Sequence, residues 1–151
     1  MSDTPPNDIA DRLARLHRAE DLSHLIEVIP YARFLGLQVR QEQGALLVTM
    51  TGAEHLIGNP VLRALHGGTI GGMLEATATF QLLWEVRQQA VPKTINLTVD
   101  YLRSAKVVDT HARASITKHG RRVANVQVTA WQDDPGRPIA TAHAHFLLRN
   151  A

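Results

Sequence analysis

His66 to Gln88 reads HGGTIGGMLEATATFQLLWEVRQ, and the rest of the chain takes its place from this stretch. At about 100° per residue, Ile70, Met73, Thr77, Phe80, Gln81 and Trp84 fall on one side of a helix. They form a broad, mostly apolar stripe suited to a sheet. The other side holds Gly71, Gly72, Glu75, Thr79, Leu82 and Val86, which are small, apolar or hydroxylic apart from one carboxylate. A helix that is apolar nearly all round is buried nearly all round. Glu75 is therefore expected in a partly buried place. Two buried sides need two covers: a sheet for the Met73 and Trp84 side, and a second subunit for the Glu75 side.

The start of this helix carries its own chemistry. The first N–H groups of a helix have no internal partner and form the positive end of its dipole. At Gly67-Gly68 no Cβ blocks approach to them. A carbonyl oxygen that becomes an oxyanion can be held at such a place. Glu75 follows about two turns later. A plain helix entry with a structural carboxylate would use the same residues, so the surroundings of the helix decide between the two.

Downstream the period changes from helical to two. In TINLTVDYL (94–102), Ile95, Leu97, Val99 and Tyr101 alternate with polar residues. The same holds for Ala112, Ala114 and Ile116 in THARASITKH (110–119), and for Ala124, Val126, Val128 and Ala130 in VANVQVTAW (123–131). In PIATAHAHFLL (138–148) the apolar set is Ala140, Ala142, Ala144, Phe146 and Leu148. Alternation broken by turns at Gly120-Arg121 and Asp133–Gly136 predicts antiparallel strands. The many alanines leave room for a helix lying close on the sheet. Upstream, Leu37–Gln43 and Ala45–Thr51 form a hairpin candidate around Gly44. A loop with the turn cluster Gly58-Asn59-Pro60 then leads to His66. Before that, Ile9, Leu13, Leu16, Leu22, Leu25, Ile26 and Ile29 predict helix from Asp8, with a break near Glu20-Asp21 and a stop at Pro30. Residues 1–7 read as a polar, proline-rich tail. The chain divides into a tail and helical extension (1–30) and a helix-and-sheet domain (31–151).

At 151 residues the chain can bury a real core. A formal charge of +2 gives no argument for nucleic acid. There is no cysteine, hence no disulfide, thiolate nucleophile or thiolate metal site, which fits a reducing cytoplasm. The first residues lack a secretory signal. No apolar run approaches the ~20 residues that span a bilayer. His143 and His145 share one strand face, but no third ligand is evident, and no metal is expected.

The order of elements, with HGG at the helix start and a carboxylate nine residues after the histidine, resembles the hotdog-fold thioesterases, above all the phenylacetate-pathway-like acyl-CoA thioesterases. Gly58-Asn59-Pro60, His66-Gly67-Gly68, Leu74-Glu75, Thr79, TINLTVDYLR, Gly120-Arg121 and the closing ATAHAHF carry the likeness, between Phe34 and Leu148. The resemblance implies an α+β hotdog fold: an antiparallel sheet of five to six strands wrapped around one long central helix, here with an N-terminal helical extension. It implies hydrolysis of acyl-CoA to a carboxylic acid and free coenzyme A. The active sites would lie at the interface of a homodimer, and such dimers can pair again into tetramers. Beyond the coenzyme A of the substrate, no cofactor is implied.

Carried over by residue, Glu75 would be the catalytic carboxylate, as nucleophile or as general base on water. The N–H of Gly67 or Gly68 would polarise the thioester carbonyl, and His66 would position the substrate or the loop. Thr79 would hold the water or the carboxylate, and Asn59 would help place water or thioester. Two departures stand out: Glu75 where many relatives have Asp, and seven residues from Asn59 to His66 where some relatives have six. Arg103, Lys118, Arg121 and Arg122, at strand ends and turns, are candidates for the coenzyme A phosphates, although cations there are ordinarily just solvated. The alternatives are a non-hydrolytic acyl-thioester binder of the same fold and, with no signature of its own here, a hydratase or dehydratase.

Overall fold

The computed structural model describes residues 8–19 and 21–149; the tail expected at 1–7 lies outside the described residues. Three helices come first among the described residues: α1 (Asp8–Ala19), α2 (Ser23–Val28) and α3 (Pro30–Phe34). Pro30 was expected to stop a helix, and it also starts one. Ile29 before it is extended, with φ −120° and ψ 98°, as the residue before proline prefers. The fixed φ and missing N–H of proline suit the first helical position. Ahead of α2, Asp21 accepts both the hydroxyl (2.7 Å) and the backbone N–H (3.0 Å) of Ser23. These hydrogen bonds hold the Asp21 carboxyl below its usual range.

The hairpin follows as β1 (Leu37–Glu42) and β2 (Ala45–Met50). Gln43 and Gly44 between them both have positive φ, 52° and 76°, as the right-twisted two-residue hairpin turn requires. A 3-10 turn (Glu54–Leu56) leads into a small antiparallel ribbon, β3 (Ile57–Asn59) with β4 (Ala64–Leu65). The ribbon delivers the chain to the central helix, α4 (Gly67–Glu85). This helix ends three residues earlier than expected. Val86 caps it, and Arg87 turns out with φ 54°, a left-handed residue of the kind that closes helices.

The long strands are β5 (Lys93–Tyr101), β6 (Thr110–His119), β7 (Val123–Trp131) and β8 (Ala140–Leu147). Six strands form one antiparallel sheet in the order β1-β2-β6-β7-β8-β5. This is the sheet wrapped on one helix that was expected. The helix faces rows of small residues: Ala112, Ala124, Ala130, Ala140, Ala142 and Ala144 are all buried. Met73, Phe80 and Phe146 fill the space they leave. Burying side chains of that size stabilises by about 1.5–3 kcal/mol each.

Two details differ from strict patterning. In β5 the alternation slips: Thr94 pairs with Phe146 and Asn96 with His145, with Ile95 extra between them. This bulge pushes Ile95 outward to 58% exposure, although alternation placed it on the apolar face. The second difference concerns the Glu75 side of α4, for which a second subunit was the expected cover. Part of that side is covered within the chain. Leu82 is fully buried, Tyr31 of α3 lies on Gly72, and His17 of α1 donates from Nε2 to the Leu83 carbonyl at 3.0 Å. Leu13, Leu16 and Leu25 from the first two helices join the same core.

Candidate active site

Glu75 is half-buried, and one of its oxygens is fixed. The hydroxyl of Thr94 donates to Oε1 at 2.7 Å. The other oxygen has no protein partner among the described residues. The bulge makes this contact, because it turns Thr94 inward at the start of the edge strand. Thr79, one turn after Glu75, is buried and donates its hydroxyl to the Glu75 backbone carbonyl at 2.9 Å. That proton is committed to the helix, so Thr79 offers an incoming molecule an acceptor oxygen. Glu75 lines a cavity of about 250 Å³. Gly72, Glu75, Ala76 and Thr79 make its floor, a single helical stripe. Ile29 and Tyr31 close one side, and Val91, Pro92 and Thr94 the other.

The start of α4 makes a second, separate place. His66 is the N-cap, and its Nδ1 accepts the Gly68 N–H at 2.8 Å. Nδ1 must then be the bare nitrogen, which leaves the ring proton on Nε2. Of the two glycine N–H groups singled out in the sequence, Gly68's is taken up by this cap. The N–H of Gly67 has no protein acceptor among the described residues. The Tyr101 hydroxyl donates to the Gly67 carbonyl at 2.7 Å, tying the helix start to the far end of β5. Asn59 sits in the ribbon that lies on His66, where its Oδ1 accepts the Leu62 N–H at 2.9 Å. Arg63 and Glu54 form an ion pair across this loop, and Arg63's hydrogen bond holds the Glu54 carboxyl below its usual range.

Gly67 and Glu75 are eight residues apart, about 12 Å along the helix axis. They line different cavities, and one small reacting group cannot touch both within one chain. Gly67 opens onto a groove with Ile70, Tyr101, Leu102, Arg103 and Ser104. The groove continues past Arg103 and Ser104 to Lys106 and Arg137. Of the four cations singled out in the sequence, Arg103 is at this groove, where it donates to the Pro138 carbonyl at 2.6 Å. Lys118, Arg121 and Arg122 are exposed at the β6–β7 turn and line neither cavity. His143 and His145 sit on the outer face of β8, with His145 facing Asn96 at 3.4 Å. Among the described residues no three groups gather that could hold a metal.

Sequence reasoning missed Thr94, Tyr101 and Tyr31. Strict alternation put Thr94 on the outer face, and only the bulge brings it in. Tyr101 is next to last in the TINLTVDYL run, and only the fold brings it to the paired glycines. Tyr31 had no signal, because its role depends on α3 folding back over α4.

Comparison with known proteins bears on this geometry. Residues 59–147 match the family model of the acyl-CoA thioesterase N-terminal domain. The medium/long-chain acyl-CoA thioesterase YigI of Salmonella typhimurium is 28% identical over 134 residues, covering 80% of this chain and 86% of that protein. Among solved structures, a Chromobacterium violaceum protein is 37% identical with a TM-score of 0.75, covering 93% of this chain and 98% of the other. A phenylacetic acid degradation-related protein of Ralstonia eutropha is 28% identical with a TM-score of 0.74, covering 91% and 99%.

Proposed function

We propose that this chain, which belongs to the acyl-CoA thioesterase family and is a thioester hydrolase, cleaves acyl-CoA to a carboxylic acid and free coenzyme A with Glu75 as its catalytic carboxylate. The observation that carries this reading is the pose of Glu75. One oxygen is held by Thr94, the other has no protein partner among the described residues, and the residue lines a cavity. A carboxylate so oriented removes a proton from water as that water attacks the thioester carbon. The same oxygen could instead attack directly as nucleophile. Water is favoured because Thr79 turns an acceptor oxygen into the same cavity, one turn away, and so gives a water molecule a second anchor.

The oxyanion formed in this attack needs donors. In this reading they come from the helix start, with the Gly67 N–H as the free donor and His66 holding the first turn in place through Gly68. Twelve ångströms, roughly, separate Gly67 from Glu75 along one helix, so the donor and the carboxylate acting on one thioester belong to two copies of the chain. That supports a homodimer with two equivalent sites at its interface, and such dimers can pair again. Asn59, on the ribbon beside His66, would reach the substrate from the helix-start side. Arg103, with Lys106 and Arg137 beyond it on the same groove, would meet the coenzyme A phosphates. Lys118, Arg121 and Arg122 would do so only from the other subunit.

Release of free thiol from a panel of short, long and aromatic acyl-CoA substrates tests this function. Turnover on at least one of them is expected. Stoichiometric retention of acyl-CoA with no thiol released across the panel would favour the non-hydrolytic binder instead.

A further inference from the structure

We infer that Tyr31 is a specificity-determining residue: its ring bounds the cavity beside Glu75 and sets how long an uncharged, apolar acyl chain that cavity accepts. This rests on the acyl-CoA reading above. Tyr31 belongs to α3, outside the helix and sheet that carry the chemistry. Its ring lies on α4 at Gly72. A Cβ at Gly72 would come within 2.9 Å of Tyr31 Cε1, closer than side-chain atoms pack. The ring is backed by Phe34, stacked at 5.6 Å and 15°. Phe34 in turn meets His55 edge-on at 5.2 Å, and His55 donates to the Phe34 carbonyl at 3.0 Å. The wall is therefore a braced aromatic stack, while the glycine beneath it fixes its depth.

The remaining lining defines what can lie against that wall. Ile29, Ala76, Val91 and Pro92 are apolar, and Glu75 carries the only formal charge among the lining residues. An acyl group ending in its own carboxylate would face Glu75 with no cation among this chain's described lining residues to offset it. A neutral hydrocarbon chain gains about 0.8 kcal/mol per buried methylene, close to fourfold in affinity, for as long as there is room. The chain then meets Tyr31, and further methylenes gain nothing.

The test uses S-alkyl thioethers of coenzyme A, butyl through dodecyl, titrated calorimetrically into the full chain. Thioethers have no carbonyl to attack, so binding is read apart from turnover. For the wild type, affinity should climb about fourfold per methylene and then level at one chain length. In Tyr31→Ala the climb should continue beyond that length. In Tyr31→Phe it should stop where the wild type stops, because the ring is the wall and the hydroxyl is not. Gly72→Ala, which displaces the ring from the other side, should move the break point as well and covers the case in which Tyr31→Ala does not fold. An ω-carboxyalkyl thioether of matched length should bind at least on the order of tenfold more weakly. A break point unchanged in Tyr31→Ala and Gly72→Ala, or no length dependence in the wild type, overturns the inference. The expected binding profile in a protein that releases no thiol would contradict the hydrolytic role of Glu75 and leave Tyr31 standing.

Discussion

Thr94 shows how much of the site depends on one hydrogen bond. Its hydroxyl fixes Glu75 Oε1 on a side chain that lines the cavity. Thr94→Val keeps the shape and removes the donor. A hydrogen bond to a charged group is worth about 1.5–3 kcal/mol, so kcat should fall about tenfold or more. KM should change little, and Thr94→Ser should restore most of the loss. Steady-state kinetics of the three proteins check this, and a Thr94→Val enzyme with wild-type kcat would remove Thr94 from the account. At this scale the sequence was only partly legible. Glu75, His66 and the glycines stood out because a carboxylate and a glycine pair are unusual on a helix that is otherwise apolar. Thr94 was hidden because its facing depends on a bulge at Ile95. A bulge breaks the period-two rule that alternation relies on, and TINLTVDYL alternates without a fault.

The β3–β4 ribbon carries Asn59 and ends on His66, so its geometry sets the helix start. Gly58 is the contact point: a Cβ there would lie 2.6 Å from His66 Cα, against backbone that cannot swing away. Gly58→Ala should cost about 1–3 kcal/mol, as overpacking does, and should lower turnover beyond the loss of folded protein. Urea denaturation paired with activity per folded molecule measures both. A variant of wild-type stability and turnover would show that the ribbon has no part in shaping the site. The elements themselves were largely readable. The period of α4, the hairpin at Gln43-Gly44 and the strands between the later turns follow from local pattern. Pro30 was half read, as a stop, because proline gives the same local signal at the end of one helix and the beginning of the next. The extra turn expected after Glu85 failed at Arg87, a residue that gives no warning of a left-handed φ.

For the molecule as a whole, the first helices are part of the core. Leu13, Leu16 and Leu25 are at most 1% exposed and join the cluster built on α4. Leu25→Ala should destabilise the chain by about 2–5 kcal/mol, and a single cooperative denaturation transition should move as one. Two separate transitions would mean that the helical extension folds apart from the sheet. This packing was not legible in the sequence. An amphipathic helix announces that it has an apolar face without saying which surface that face will meet. For the same reason the pairing of β5 with β8, at the edge of the sheet, could not be read from strands whose order along the chain is β5, β6, β7, β8. The resemblance to the hotdog thioesterases supplied the wrapped helix, and the family match agrees with it.

In the proposed reaction the free oxygen of Glu75 drives thioester cleavage. The most direct measurement is thiol release by wild type and by Glu75→Gln, on the acyl-CoA that the wild type turns over best. Loss of a positioned general base costs about 10²- to 10⁴-fold, so Glu75→Gln should retain at most about a hundredth of wild-type kcat, with its unfolding transition unmoved. Wild-type kcat in a folded Glu75→Gln protein would exclude Glu75 as the catalytic carboxylate.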